Sequence, residues 1–407
     1  MPSNRIDRGL WTLSMCCLGA AAPLLSLGRI TMLAVFALGV LTGLAAVLRT
    51  RRGGLGTLVR DNWLPVGAAL AFLAIALLSS LLSEWPDRAA LKTGDLALQC
   101  AMLFGALAVV GLAPREARRL LVLVFLGTFA ASVLYTLGDS SNCVANAEIK
   151  ELYRWCTKRG RHRGTAFAVL LPLAIGFYLS NIRDGRERRI GLGGSAVICM
   201  LALAVFLSSS RTASLVAFGG VGLFVILSAL QGRFRAVWLA APAVAAAFVI
   251  SATVLELYAP NIVDARLQLS NPELGAFNGR EAAWRAAIDL WSGHPWLGVG
   301  VWNYRYLIDD FGHAHNFILE IMSDTGLLGL LAVTALLLTL ALRLLRGLSN
   351  GPASIGFAAS VAAFFAASMA ATSIFYGWWL CILFAVLAAG SAASRIEAGD
   401  RGDPAGR

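Results

Sequence analysis

An all-helical, polytopic integral membrane protein is the fold class this sequence predicts, and three observations carry that prediction. Of its 407 residues, 58% are hydrophobic and only 14% charged, with a mean hydropathy of +0.72, far outside the composition of soluble globular domains. Apolar runs of about 17 to 25 residues, the length a helix needs to cross the hydrocarbon core, recur from one end to the other. The basic residues also fall preferentially on one side of those runs, as in proteins that cross a bilayer many times.

Taken in order, twelve spans are predicted, at about 10–28, 30–48, 63–83, 96–113, 120–138, 165–181, 190–207, 212–230, 236–254, 325–343, 353–373 and 378–393. The first follows Arg5 and Arg8 and ends near Ala20; a cleaved signal peptide is the alternative to the retained anchor adopted here. With the N-terminus inside, the cytoplasmic segments hold 20 of the 34 Lys and Arg and 8 of the 23 acids, a balance of +12 against −1 for the rest. The net charge of +11 is then a topology signal and calls for no nucleic-acid partner. Four units follow: spans one to nine over 1–254, a large outer loop unit with amphipathic helices over 255–324, the last three spans over 325–393, and a short cytoplasmic tail, 394–407.

The outer loop at 139–164 is basic, with Lys150, Arg154, Lys158, Arg159, Arg161 and Arg163 against Asp139, Glu148 and Glu151. Two readings stand: a solvated helix and turn, or a docking surface for the phosphates of an anionic partner such as a phosphorylated glycolipid. Cys143 and Cys156 share that loop, and in an oxidising compartment they are a candidate disulfide. The other five cysteines lie within predicted spans as small apolar residues.

Mid-membrane ionisable residues, the signature of ion and proton paths, are nearly missing. Arg211, in FLSSSRTASLVAF, sits at the outer turn between spans seven and eight. It is either a snorkelling arginine or, with three serines and no acid beside it, a cation awaiting an anionic ligand. In the large loop, NGREAAWRAAIDLWSGHPWLGVG predicts an amphipathic helix from about 280 to 292, with Asn278 and Glu281 for capping and Gly293 and Pro295 to stop it. Glu281, Arg285 and Asp289 form a solvated charge ladder. Arg280 shares the opposite face with Trp284, Ile288 and Trp291, where its fork suits a phosphate or a structural ion pair with Glu256 or Asp264.

All four histidines, His162, His294, His313 and His315, fall outside in this topology. His313 and His315 form an H-x-H pair, but no third ligand has matching spacing, so no metal site is read here. A helix beginning at about Ala314 would align His315, Leu319, Met322 and Gly326 in one stripe. It would place His315 in the first turn, where the helix dipole favours neutral imidazole. His313, before that helix, reads as a loop residue or a polar contact.

In order and spacing, SSSRTASL at 208–215, NGREAAW at 278–284, HPWLGVG at 294–300 and HNFILEIMSDTGLLG at 315–329 resemble the O-antigen ligase and polymerase superfamily, over about 120 of the 407 residues. The resemblance implies a GT-C-like integral-membrane glycosyltransferase with about twelve transmembrane helices and a large periplasmic loop between spans nine and ten, in the inner membrane of a Gram-negative bacterium. The implied partners are an undecaprenyl diphosphate-linked glycan as donor, lipid A-core as acceptor, and membrane lipid. His315 carries over as the catalytic histidine and Arg211 and Arg280 as donor diphosphate ligands, with Asn316, His313 and Trp284 as supporting residues. Lys150, Arg154, Lys158, Arg159, Arg161 and Arg163 would hold acceptor phosphate. No cofactor or metal is implied, because the energy is already in the diphosphate bond. Where some members carry an acid near the last outer turn, SIFYGWW at 373–379 has none. Rival readings are an O-antigen polymerase, a protein O-oligosaccharyltransferase, which tends to carry a longer soluble C-terminal part, and a polysaccharide exporter or flippase. The oligomeric state has no signal in the sequence.

Overall fold

The computed structural model of the chain describes residues 4–51, 53–145, 150–182, 205, 210–233, 249, 280–308, 312–370 and 372–402, without the side chains of 137–145, 150–161, 181–182, 211 and 400–402. All regular structure in the described residues is helical. The main helices are α1 (Arg5–Ala20), α2 (Arg29–Thr50), α3 (Gly53–Asp61), α4 (Trp63–Leu81), α5 (Pro86–Leu112), α6 (Arg115–Ala145), α7 (Lys150–Ile182), α8 (Arg211–Leu230), α9 (Arg280–Gly293), α10 (Phe317–Gly347), α11 (Pro352–Ser368) and α12 (Gly377–Gly402).

Eight of them are long and apolar enough to cross a membrane: those spanning Arg29–Thr50, Trp63–Leu81, Pro86–Leu112, Arg115–Thr136, His162–Ser180, Thr212–Leu230, Phe317–Asn350 and Gly377–Gly399. The chain is thus a polytopic helical membrane protein. The predicted spans at 10–28 and 353–373 correspond to α1 and α11, shorter helices of 16 and 17 residues. A 3₁₀ turn at Pro23–Ser26 follows α1. The predicted spans at 190–207 and 236–254 lie almost wholly outside the described residues.

Several helices overrun their apolar runs. Pro86 starts α5 ten residues before the predicted span, with Asp87 in its first turn, as fits a proline at N1 and an acid at the positive end of the dipole. The predicted loop 139–164 is also largely helical, because α6 continues to Ala145 and α7 begins at Lys150. Hydropathy marks where a helix leaves the hydrocarbon, whereas backbone hydrogen bonding decides where it ends.

At the centre stand α7, α11 and α12. The apolar window of α7 is 89% buried and that of α12 78%. Small residues let α7 and α11 meet: a Cβ at Gly176 would lie 3.1 Å from the Gly356 Cα. Such close approach is how helices gain dispersion contact where lipid removes the hydrophobic drive. Beside Pro172, which interrupts the α7 ladder, Leu173 N–H donates to Ser360 Oγ at 2.9 Å. At the N-terminus of α11, buried Glu397 of α12 accepts from Ala353 N and Ser354 N, both at 3.0 Å, and from Ser180 Oγ at 2.8 Å. A carboxylate there offsets the free amides of a helix start. By contrast α10 packs mainly on α4, and Leu331, Leu338 and Leu345 are 56–60% exposed, an apolar stripe left for lipid.

Candidate functional site

The site is built around a break in α10. Gly326 has φ +67 and ψ −168, a conformation open to glycine, and it divides the helix into a short piece ending at Thr325 and a long apolar one. A break frees backbone groups that lipid cannot satisfy. The segment 294–304 satisfies them: Val299 N and Gly300 N donate to the Ser323 and Asp324 carbonyls, each at 2.9 Å. Pro295 O and Trp296 O accept from Leu327 N at 2.9 Å and Leu328 N at 3.2 Å. Ser79 Oγ of α4 adds a bond to Asp324 O at 2.8 Å. The two glycine-bearing stretches HPWLGVG and SDTGLLG are therefore one structural unit, spliced backbone to backbone. Gly298, with φ +69, belongs to it for the same reason, since a Cβ there would stand 2.5 Å from Ser323 O.

Two buried carboxylates lie on the short piece of α10, four residues apart. Asp324 accepts from Trp302 N at 2.7 Å and Tyr304 N at 3.4 Å, and so fixes the loop at Trp302, where φ is +71. Glu320 accepts from Ile374 N at 3.1 Å, and so fixes the turn between α11 and α12. Glu320 thus brings a carboxylate from α10 to a turn whose own sequence, 373–379, contains no acid. Among the described residues neither carboxylate has a cationic partner. Tyr304 is buried as well, its O–H donating to Ala283 O at 3.0 Å, and burial pushes its phenol up.

On this frame sits the imidazole pair. The rings of His313 and His315 stand 3.9 Å apart between centroids, tilted by 45°. Tyr376, on the turn that Glu320 holds, lies edge-on to His313 at 5.8 Å and to Trp302 at 5.1 Å. Lys92 lies over the Trp302 ring at 4.9 Å and Arg305 at 5.8 Å. Burial first, then His315, Arg305 and His162, push the His313 imidazole down to about 3, so it is neutral at any physiological pH. Its Nε2 is a buried nitrogen with no hydrogen-bond partner among the described residues.

The helix start differs from the expected one. α10 begins at Phe317, capped by Asn316, whose Oδ1 accepts from Ile318 N at 3.0 Å and Leu319 N at 3.3 Å. Asn316 is a better N-cap than alanine, and that preference moves the start three residues on. His315 therefore lies one residue before the cap and outside the expected stripe, with φ +53. A left-handed conformation is uncommon for a side-chain-bearing residue and costs about 1–3 kcal/mol. It turns the chain sharply enough to bring His315 against His313, which is a ring contact of the site and more than a loop residue.

Helix α9 carries Arg280 and ends at Gly293, as the sequence predicts. Its buried residues are Ala283 and Ala287, and Ala287 shares a small apolar cluster with Tyr304, Ala314 and Leu319, beside the imidazole pair. Arg280 and Trp284 are half-buried on that side while Arg285 is exposed. Ile288, expected on the apolar face, is 45% exposed, because the face that packs is centred on the two alanines. Burial alone lowers the Arg280 guanidinium, with no acid among the described residues to offset it. Glu256, Asp264 and Asn278 lie outside the described residues.

Arg211 opens α8 behind the N-cap Ser210, whose Oγ accepts from Ala213 N at 3.1 Å; its side chain is not among those described. The same holds for Lys150, Arg154, Lys158, Arg159 and Arg161 and for the disulfide candidates Cys143 and Cys156. Arg163 is described and differs from the expected open surface: it is 9% exposed, with its guanidinium 5.7 Å from the Tyr135 ring centroid. It sits where α7 already enters the bundle, so its stem is packed. His162 meets Trp378 edge-on at 5.0 Å. Among the described residues no three His, Cys, Asp or Glu stand together as a metal ion requires.

Sequence reasoning missed Glu320, Asp324, Trp302 and Tyr376. Two acids spaced four apart in an otherwise apolar helix were the available signal, because that spacing puts both on one buried face. Compared with known families, residues 195–334 match the model described as O-antigen ligase. That stretch contains Arg211, Arg280, His313, His315 and the whole glycine splice, and excludes the basic segment 139–164. No curated protein matches the chain.

Proposed function

We propose that this chain, whose residues 195–334 match the O-antigen ligase family model, transfers a glycan from undecaprenyl diphosphate to a sugar hydroxyl of lipid A-core, at the periplasmic face of a Gram-negative inner membrane. The observation that carries the reading is the site's composition: a packed imidazole pair at the mouth of a broken membrane helix, with Arg280, half-buried and without an acid partner among the described residues, on the helix that packs beside it.

Glycosyl transfer from a diphosphate lipid needs a base for the incoming hydroxyl and cations for the departing charge. In this mechanism the acceptor oxygen attacks the anomeric carbon and its proton passes to His315. The bond from that carbon to the diphosphate oxygen breaks, and the electron pair leaves with the diphosphate. Arg280 and Arg211 balance the charge that develops there, a task suited to the guanidinium fork. A single displacement inverts the anomeric centre. Neutral His313, packed on His315, limits the pair to one proton at a time and supports His315 as the acceptor. Asn316 caps α10 and Trp284 flanks Arg280. The step requires neither metal nor nucleotide.

The test is reconstitution of the purified protein in liposomes with undecaprenyl diphosphate-linked glycan and lipid A-core. Elongated lipid A-core, formed in the presence of EDTA and without any ion gradient, is the expected result. Elongation of the donor lipid instead would make the chain a polymerase, and gradient-dependent movement of glycan without a new bond would make it an exporter.

A further inference from the structure

At the end of the bundle opposite the imidazole pair, arginines from three helices converge. Arg51 caps the C-terminus of α2, Arg118 lies in the first turns of α6, and Arg395 lies near the end of α12. The last turn of α5 joins them. A Cβ at Gly111 would meet Arg395 Nη2 at 3.7 Å and Leu58 of α3 at 3.6 Å, while one at Gly54, three residues after Arg51, would meet Leu112 Cδ2 at 2.7 Å. Arg118 feels the like charges of Arg395, Arg51 and Arg115, against the single opposite charge of exposed Glu116. Among the described residues no acid forms an ion pair with Arg51, Arg118 or Arg395.

Basic residues at one membrane face are expected from topology alone, but such residues extend into water. Arg118 does so only in part: the residue is half-buried, and its Nε is a buried atom with no hydrogen-bond partner among the described residues. A buried, unsatisfied guanidinium nitrogen among like charges is costly unless an anion completes it. The neighbouring helix identifies the phase that anion comes from. No residue of α3 is buried by protein, and its Val59 and the following Trp63 are 57% and 70% exposed. An amphipathic helix of this kind lies along the boundary between headgroups and acyl chains, which puts the arginines at headgroup depth.

We propose that Arg51, Arg118 and Arg395 form a binding site for the phosphodiester headgroup of an anionic phospholipid, in the leaflet opposite the glycan-transfer site. The guanidinium forks take the phosphate oxygens, and the apolar side of α3 lies against the acyl chains. Site and ligand are independent of the proposed reaction.

The test uses the full-length protein in phosphatidylcholine nanodiscs, with and without cardiolipin, read by thermal melting and by native mass spectrometry of retained lipid. Wild type should gain stability with cardiolipin and retain it. The double variant Arg118→Gln, Arg395→Gln should bind it at least about ten-fold more weakly, as expected for lost charge-assisted bonds. The surface variant Arg51→Gln, which leaves Arg118 and Arg395 in place, should show a smaller loss in the same direction. Arg60→Gln, on exposed α3, should respond as wild type. An unchanged cardiolipin response in the folded Arg51 variant would overturn the site, and so would an equal loss in Arg60→Gln, which would indicate diffuse charge. Equal stabilisation by inorganic phosphate would overturn the lipid assignment.

Discussion

His313 and His315 divide two tasks that the sequence alone does not separate. In H-A-H on an extended segment the two rings would share a face, and in a helix they would diverge. The observed contact needs His315 at φ +53, immediately before the Asn316 cap. Burial holds His313 at about 3 against an ordinary 6.5, so the unfolded chain takes up a proton that the folded site refuses. The stability this neutral imidazole contributes is therefore full above about pH 6.5 and falls as pH drops toward 3. Thermal melts between neutral pH and pH 5 should show His313→Gln losing less stability on acidification than wild type; parallel losses would place the titration elsewhere. For the arginines, Arg280→Ala should cost at least ~1.5–3 kcal/mol in transfer, the range of charge-assisted hydrogen bonds, and lysine should rescue it only partly. Arg285→Ala, exposed on the other side of α9, should change little, and comparable damage at the two positions would refute the assignment of helix faces. The histidine pair and the contrast between the arginines were legible from residue type and period. Glu320 and Asp324 were not read as site residues, because their partners are backbone amides 54 and 22 residues away, and no local pattern encodes such pairings.

Among the elements, α10 is the one whose interruption matters. The apolar run at 325–343 is visible in the sequence as a span, and the helix ahead of it is visible as a periodic pattern. That the two are separated at Gly326, and that HPWLGVG fills the gap, depends on tertiary hydrogen bonds that periodicity does not report. The splice couples the site to the membrane helices: Asp324 positions Trp302, Glu320 positions the turn bearing Tyr376, and the Tyr376 ring lies edge-on to both Trp302 and His313. A Cβ at Gly326 would run into the Trp296 carbonyl, and φ +67 is itself unfavourable for alanine. Gly326→Ala should thus destabilise the protein by at least about 1–3 kcal/mol and lower transfer out of proportion, as the frame of the imidazole pair shifts. Hydrogen exchange of Val299 and Gly300 amides, which the splice protects, should accelerate in that variant. Protection equal to wild type would show that the splice survives without the glycine.

At the scale of the whole molecule, composition and charge asymmetry were enough to read a polytopic helical membrane protein. Eight helices among the described residues meet the length and hydropathy needed to cross. The exact number of spans is less legible, because helices such as α6 and α7 continue well beyond their apolar runs and α1 and α11 stop short of a full crossing length. The architecture gives the proposed chemistry its location. Helices α7, α11 and α12 form a rigid centre, and the broken α10 beside α4 brings the imidazole pair to one end of the bundle, where lipid-borne substrates on that side would present their reacting sugars. The most direct measurement is glycan transfer to lipid A-core in liposomes by wild type and by His315→Ala, with insertion and donor binding checked in the same preparations. Loss of at least ~10²-fold in rate, the low end for removing a general base, with donor binding retained, is the predicted result. Near-normal transfer by a correctly inserted His315→Ala protein would contradict it.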